Sequence, residues 1–196
     1  MFKVDRKKAL AESRKTFGKR HTTVTRTFRI NAEWDQVLRE DAERRGISVN
    51  ILMNLILRRY TNFDRICPDR DIICMSKLAF RQLIEDIPPD LLAMAGERTG
   101  SKDIQNIIDM LGHPSNYDAF AHLVVKHYGG SDCAMWFNCF RHSQQKSDFF
   151  HLQHRLGREW SVYLEKYFLS YLKTLGIECE TRIYDYAVNI RVLKPR

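Results

Sequence analysis

A change of hydrophobic period at residue 31 constrains this chain more than any other feature. From about Thr22 to Ile30 the residues alternate as in a β-strand. From Ala32 onward the apolar positions Trp34, Val37, Leu38 and Ala42 follow the 3.6-residue repeat of an amphipathic helix. Asn31 stands where an N-cap is needed and Gly46 where a left-handed C-terminal residue is needed. Ser48 then caps a second helix, from Val49 to about Tyr60. A lone strand leaves its backbone donors and acceptors without partners, and nothing nearby in residues 1–62 supplies a second one. The simplest partner is the same strand of another copy, giving an antiparallel two-stranded ribbon on a dyad.

Charge supports a polyanionic target for this segment. Residues 1–62 hold 15 Lys/Arg against 7 Asp/Glu, whereas residues 63–196 hold 17 of each, so the whole net charge of +8 resides in the N-terminal third. In the ribbon, Val24, Phe28 and Ile30 face one way and can seal a core built from the helices of two chains. Thr25, Thr27 and Arg29 face the other way, at a spacing suited to base edges in a major groove.

The run Thr25-Arg-Thr-Phe-Arg-Ile-Asn-Ala-Glu-Trp34, followed by Glu43-Arg-Arg-Gly-Ile-Ser-Val-Asn50, resembles the ribbon-helix-helix repressors of the Arc/MetJ/CopG type. The similarity covers residues 22–62, about a fifth of the chain. It implies an intertwined β-α-α dimer, open to assembly as a dimer of dimers. It also implies base contacts from Thr25, Thr27 and Arg29, and a phosphate held at the start of the second helix by Ser48, Val49 and Asn50. Arg26 departs from the family pattern, because it falls on the face that should be dry. Either the ribbon frays before Arg26 and frees it for phosphate, or the register is shifted by one and the two faces exchange. Lys15, Lys19 and Arg20 in the preceding basic arm, residues 1–21, are further phosphate candidates.

Residues 63–75, with Cys67-Pro68 and several charges, read as a linker. Residues 76–196 read as a second, α+β domain. Ser76 caps a helix that Pro88-Pro89 ends, two short helices are expected at Asp90–Arg98 and Lys102–Leu111, and another at Tyr117–Tyr128. Two aromatic-rich strands follow, Ala134–His142 and Phe149–His154. After Gly157 comes a strong amphipathic helix with Trp160, Leu164, Tyr167, Phe168, Tyr171 and Leu172 on one face. A hairpin, Ile177–Tyr184 with Ala187–Leu193, completes helices followed by a β-β-α-β-β antiparallel sheet. The expected role of this domain is effector sensing or oligomerisation, and its family is not recognised.

Trp136, Phe140, His142, His154, Arg158 and Trp160 are the weak candidates for an effector pocket. Cys139, His142, His151 and His154 are weak candidates for a metal, but strand spacing sends His151 and His154 to opposite sides, so no bound metal or other cofactor is expected. The aromatic set reads first as plain core. No Gly-rich phosphate loop, nucleophile elbow or paired-carboxylate spacing occurs, so catalysis is not expected.

Five cysteines without CxxC spacing fit a reducing, cytoplasmic setting. No apolar run reaches membrane-spanning length, and Met1 to Arg20 lack the apolar segment of a secretory signal. The expectation is a homodimeric, nucleoid-associated regulator of transcription, a repressor, bound to double-stranded DNA. The alternative is an antitoxin-like protein whose C-terminal domain binds a protein partner.

Overall fold

The computed structural model describes residues 23–62, 64–66, 75–129 and 136–193. The chain divides into two units, Met1–Ser48 and Val49–Arg196. The basic arm with Lys15, Lys19 and Arg20 lies outside the described residues, as does most of the linker. Among the described residues no helix is long and apolar enough to cross a membrane.

In the first unit, helix α1 (Ala32–Arg44) begins where its cap predicts. The Asn31 side chain accepts from the amide of Glu33 at 2.8 Å, and Glu33 and Asp35 place negative charge at the positive end of the helix dipole. Its C-terminus closes through Gly46, at φ +64°, with the Ile47 amide donating to the Ala42 carbonyl at 3.0 Å. Thr23–Ile30 adopt no regular structure in a single copy and are exposed throughout.

The second unit begins with α2 (Val49–Asn62) and a single 3₁₀ turn, Asp64–Ile66. Helix α3 (Lys77–Ile84) is capped by Ser76, which accepts from the Ala79 amide at 3.1 Å. The long α4 (Pro89–Met110) follows. Helix α5 (Tyr117–Leu123), capped by Asn116, widens into a π-helical turn over Val124–Tyr128. The sheet comprises β1 (Asn138–Ser143), β2 (Ser147–Gln153), β3 (Cys179–Tyr184) and β4 (Ala187–Leu193), with α6 (Arg158–Thr174) between β2 and β3. All pairings are antiparallel in the order β1-β2-β4-β3. This is the expected α+β class and the expected β-β-α-β-β succession.

The strand pleat assigns the faces. Phe150 and Leu152 of β2 share one face with Val188, Ile190 and Val192 of β4, and this face is buried under α6. Phe120 of α5 fills the space between the layers, with ring centroids 6.1 Å from Phe150, 6.0 Å from Phe168 and 5.8 Å from Tyr171. On its other side α6 meets α4.

That contact corrects one expectation. Thr99-Gly100-Ser101 looks like a break between two short helices, yet α4 runs through it without interruption. Its glycines are packing residues: a Cβ on Gly100 would lie 2.0 Å from the Tyr167 carbonyl oxygen, and one on Gly96 would lie 2.5 Å from that of Tyr163. The helix backbones approach so closely that only glycine fits, and burial outweighs the roughly 1 kcal/mol propensity cost of each glycine.

Tyrosines of α6, spaced four residues apart, then fasten the pair. The Tyr163 hydroxyl hydrogen-bonds to Thr99 at 3.0 Å, and Tyr167 donates to Asp103 while the Tyr128 hydroxyl sits 2.5 Å away. Tyr171 reaches Ser115 at 3.0 Å, and Ser115 in turn donates to Gln105 of α4 at 2.7 Å. Burial, with Tyr128 and Asp103 beside it, holds the Tyr167 phenol neutral by pushing its pKa far up.

Gly100→Ala should therefore lower unfolding stability by about 3 kcal/mol, the upper end for overpacking. Denaturant titration followed by circular dichroism measures this. A loss below about 0.5 kcal/mol would mean that the helices separate without cost.

Candidate nucleic-acid interface

The residues expected to touch DNA divide into a segment before α1 and the start of α2. Thr25, Arg26, Thr27 and Arg29 are all exposed, so in one copy the chain does not distinguish a reading face from a core face. The apolar members of the segment are exposed as well: Val24 is 69% and Phe28 59% accessible, and Trp34 on α1 is 66%. Ala42, at the end of the same α1 stripe, is buried.

The two helix starts differ in charge. The first turn of α1 carries Glu33 and Asp35, whereas that of α2, which contains Val49 and Asn50, carries no acidic residue. Only the second has no acidic side chain of its own in the first turn, beside the positive end of its dipole. Within α1 the arginines are largely taken up by neighbouring carboxylates, Arg39 with Asp35 at 2.7 Å and Arg44 with Asp41.

The candidates in the C-terminal domain do not converge. Trp160 is buried in the aromatic core, against Phe80 at 5.0 Å, Trp136 at 5.3 Å and Tyr163 at 4.9 Å. Phe140 and His142 project from the opposite face of the sheet, while Cys139, next to Phe140, faces the core, where burial pushes its thiol up to about 12. Arg158 is exposed and lies 3.5 Å from Asp185. The six proposed pocket residues thus lie on two sides of the sheet and line no common cavity. Among the described residues no group of three His, Cys, Asp or Glu stands where it could hold a metal ion. His151, on the outer face, hydrogen-bonds through Nδ1 to Asn189 Oδ1 at 2.6 Å.

His154 is a core histidine, satisfied on both ring nitrogens. Its Nδ1 accepts from the Leu156 amide at 3.2 Å, so Nε2 carries the proton and faces Ser161 Oγ at 2.9 Å. Ser161 donates onward to the Tyr184 carbonyl at 2.6 Å. In this tautomer the imidazole cannot accept a proton from the serine, so the pair is not an activated nucleophile. Its job is to tie the turn after β2, the start of α6 and the β3–β4 turn together.

A second buried polar cluster was legible in the alternation but fell in a stretch read as loop. Asp148 is in phase with Phe150 and Leu152 on β2, and its side chain is fully buried. It accepts from the Tyr117 hydroxyl at 2.6 Å and from Arg141 Nε at 3.0 Å. Burial and this carboxylate raise the Tyr117 phenol well above its usual range. Three histidines also adjoin one another around α5, with His122 ring centroids 5.7 Å from His113 and 5.8 Å from His127. Burial together with neighbouring His113 and Lys126 lowers the pKa of His122.

Burial lowers the pKa of His154 to about 4, against an ordinary value of 6.5. Because the folded value is the depressed one, its stabilisation is complete above pH 6.5. It is lost progressively as pH falls from 6.5 to about 4, by about 3 kcal/mol in total. In urea titrations across that window, His154→Gln should flatten the slope relative to the parent chain. An unchanged slope would show that another group titrates.

No family model, curated protein or solved structure matches this chain.

Proposed function

We infer that this protein is a sequence-specific, double-stranded DNA-binding regulator of transcription, a repressor, acting as a homodimer through an intermolecular β-ribbon. The observation that carries this reading is the uncovered apolar set at the front of the chain. Val24, Phe28, Trp34 and Val37 all lie in water in a single copy, although they alternate and repeat like core residues. A second copy of the same segment would bury them and supply the partners that Thr23–Ile30 lack as a strand. Buried at roughly 25 cal/mol per Å² of apolar surface, such a set favours dimerisation strongly.

Pairing on the dyad then sends Thr25, Thr27 and Arg29 outward from the ribbon, toward the major groove. Arg29 is the residue suited to bidentate contact with a guanine edge, and the threonines to hydroxyl or methyl contacts. Ser48, Val49 and Asn50, at a helix start without acids, would hold a phosphate that fixes the ribbon's height in the groove. Arg26 and the basic residues Lys15, Lys19 and Arg20 add phosphate contacts, which makes affinity steeply salt-dependent. The reading places the protein in the cytoplasm, on the nucleoid, with residues 76–196 as its sensing or oligomerising domain.

Arg29→Ala should cost about 1–3 kcal/mol on the selected operator and relax preference at one base position. Binding-site selection followed by footprinting of parent and variant reads both effects. An equal loss on operator and random DNA would reduce Arg29 to a phosphate contact. Phe28→Asp should convert a dimer to a monomer in sedimentation, and a monomeric parent chain would overturn the proposal.

A further inference from the structure

A half-buried antiparallel sheet ordinarily turns polar, chemically unspecialised residues to water. The outer face of this one is different. Phe140 of β1 and Tyr184 of β3 are 60% and 47% accessible, and Phe149 of β2, half-buried, lies beside Phe140, two residues out of its row on the side away from Tyr184. Phe140 stands directly across from His151, with ring centroids 6.2 Å apart, and His142 directly across from Phe149. The remaining positions include amides and arginines, together with Glu180, Ser147, Ala187 and Leu193. Val and Ile, which fill the buried face of β4, are absent from the outer positions of all four strands.

The strand positions of this face carry two arginines against one carboxylate. Arg182 and Arg191 both project from it, on β3 and β4. Its single carboxylate, Glu180, is already engaged by Arg191 at 3.1 Å. The Arg191 guanidinium also lies 5.5 Å from the centre of the Phe149 ring, an aromatic already paired with a planar cation. The other acid of the strands, Asp148, points into the core. Lys146, in the β1–β2 turn, is exposed.

The geometry points to a binding platform for single-stranded nucleic acid on the outer face of the sheet. Phe140 and Tyr184 would stack bases, with the Phe149–Arg191 pair beside them, while Arg182 and Lys146 track the phosphates. Planar rings, guanidinium groups and side-chain amides answer the three parts of such a ligand: base faces, phosphates and base edges. Duplex DNA does not fit, because its bases are stacked on each other and closed to the rings. Strands about 4.8 Å apart, with Tyr184 two residues out of Phe140's row, put these edge residues roughly 16 Å from each other, a span for two or three splayed bases. A docked protein would be better served by branched aliphatic residues, of which the outer strand positions carry Leu193 alone. This inference does not depend on the N-terminal ribbon.

The test is fluorescence anisotropy of the full chain with labelled U12 RNA, dT12 DNA and a 12-base-pair duplex. Phe140→Ala and Tyr184→Ala should each weaken binding to the single strands at least about fivefold. Both should leave duplex binding and the circular dichroism spectrum unchanged. Phe140→Trp should retain affinity, whereas Phe140→Leu, which keeps apolar area but loses the ring face, should not. The ratio of U12 to dT12 affinity identifies the sugar. Arg29→Ala, tested alongside, should affect the duplex alone, so failure of the ribbon and failure of the platform are told apart. Wild-type binding by Phe140→Leu would overturn the platform. So would equal losses on single strands and duplex, or a fall in oligomeric mass caused by Phe140→Ala, which would assign the face to a second copy.

Discussion

The contact between α4 and α6 at Gly96 and Gly100 is the constraint on which the C-terminal domain depends. Two helix backbones come close enough there to exclude a single methyl group, and this distance sets where every other side chain of α6 falls. It brings the phenols of Tyr163, Tyr167 and Tyr171 within reach of partners on or beside α4. With that side of α6 fixed, Leu164, Phe168 and Leu172 take their places in the common core with Phe150, Leu152, Val188 and Ile190. The sheet can then have only one buried face.

Buried polar groups in this domain are explained by structure before chemistry. Asp148 is a carboxylate in the core, and such a group is tolerable only because Arg141 and Tyr117 donate to it. His154 holds its neutral form between an amide and a serine. Both fasten the ends of elements, and both have their hydrogen bonds directed at the protein rather than at a ligand. Among the described residues these groups are engaged by one another, and further chemistry of the molecule lies on its surfaces.

Two surfaces stand out, and their physics differ. The front of the chain is apolar, alternating and exposed, and in the proposed function a second copy covers it and a duplex groove receives its polar face. The outer sheet face is aromatic, cationic and poor in aliphatics, which suits bases that are already unstacked. A regulator with both would engage nucleic acid in two structural states. The apolar front and the aromatic sheet face belong to different units of the chain, so each carries its own measurable consequence.

What the sequence determined alone is local. Asn31 and Ser76 cap helices where their side chains predict, and Gly46, Gly157 and Gly176 sit at positive φ where the chain must turn. The β-β-α-β-β order follows from period and punctuation, because caps, turns and alternation act over a few residues. The tertiary structure decided what depends on distant neighbours. Gly100 reads as a break but is a contact, because Tyr167 lies against it from 67 positions away. Asp148 reads as loop but is core, because Tyr117 and Arg141 converge on it. Trp136 and Phe140, read as one aromatic set, separate to opposite sides once β1 pairs with β2 in its register. Residues 23–30 alternate like a strand in sequence yet adopt no regular structure here, because alternation sets which faces a strand would have and not whether a partner's hydrogen bonds are present.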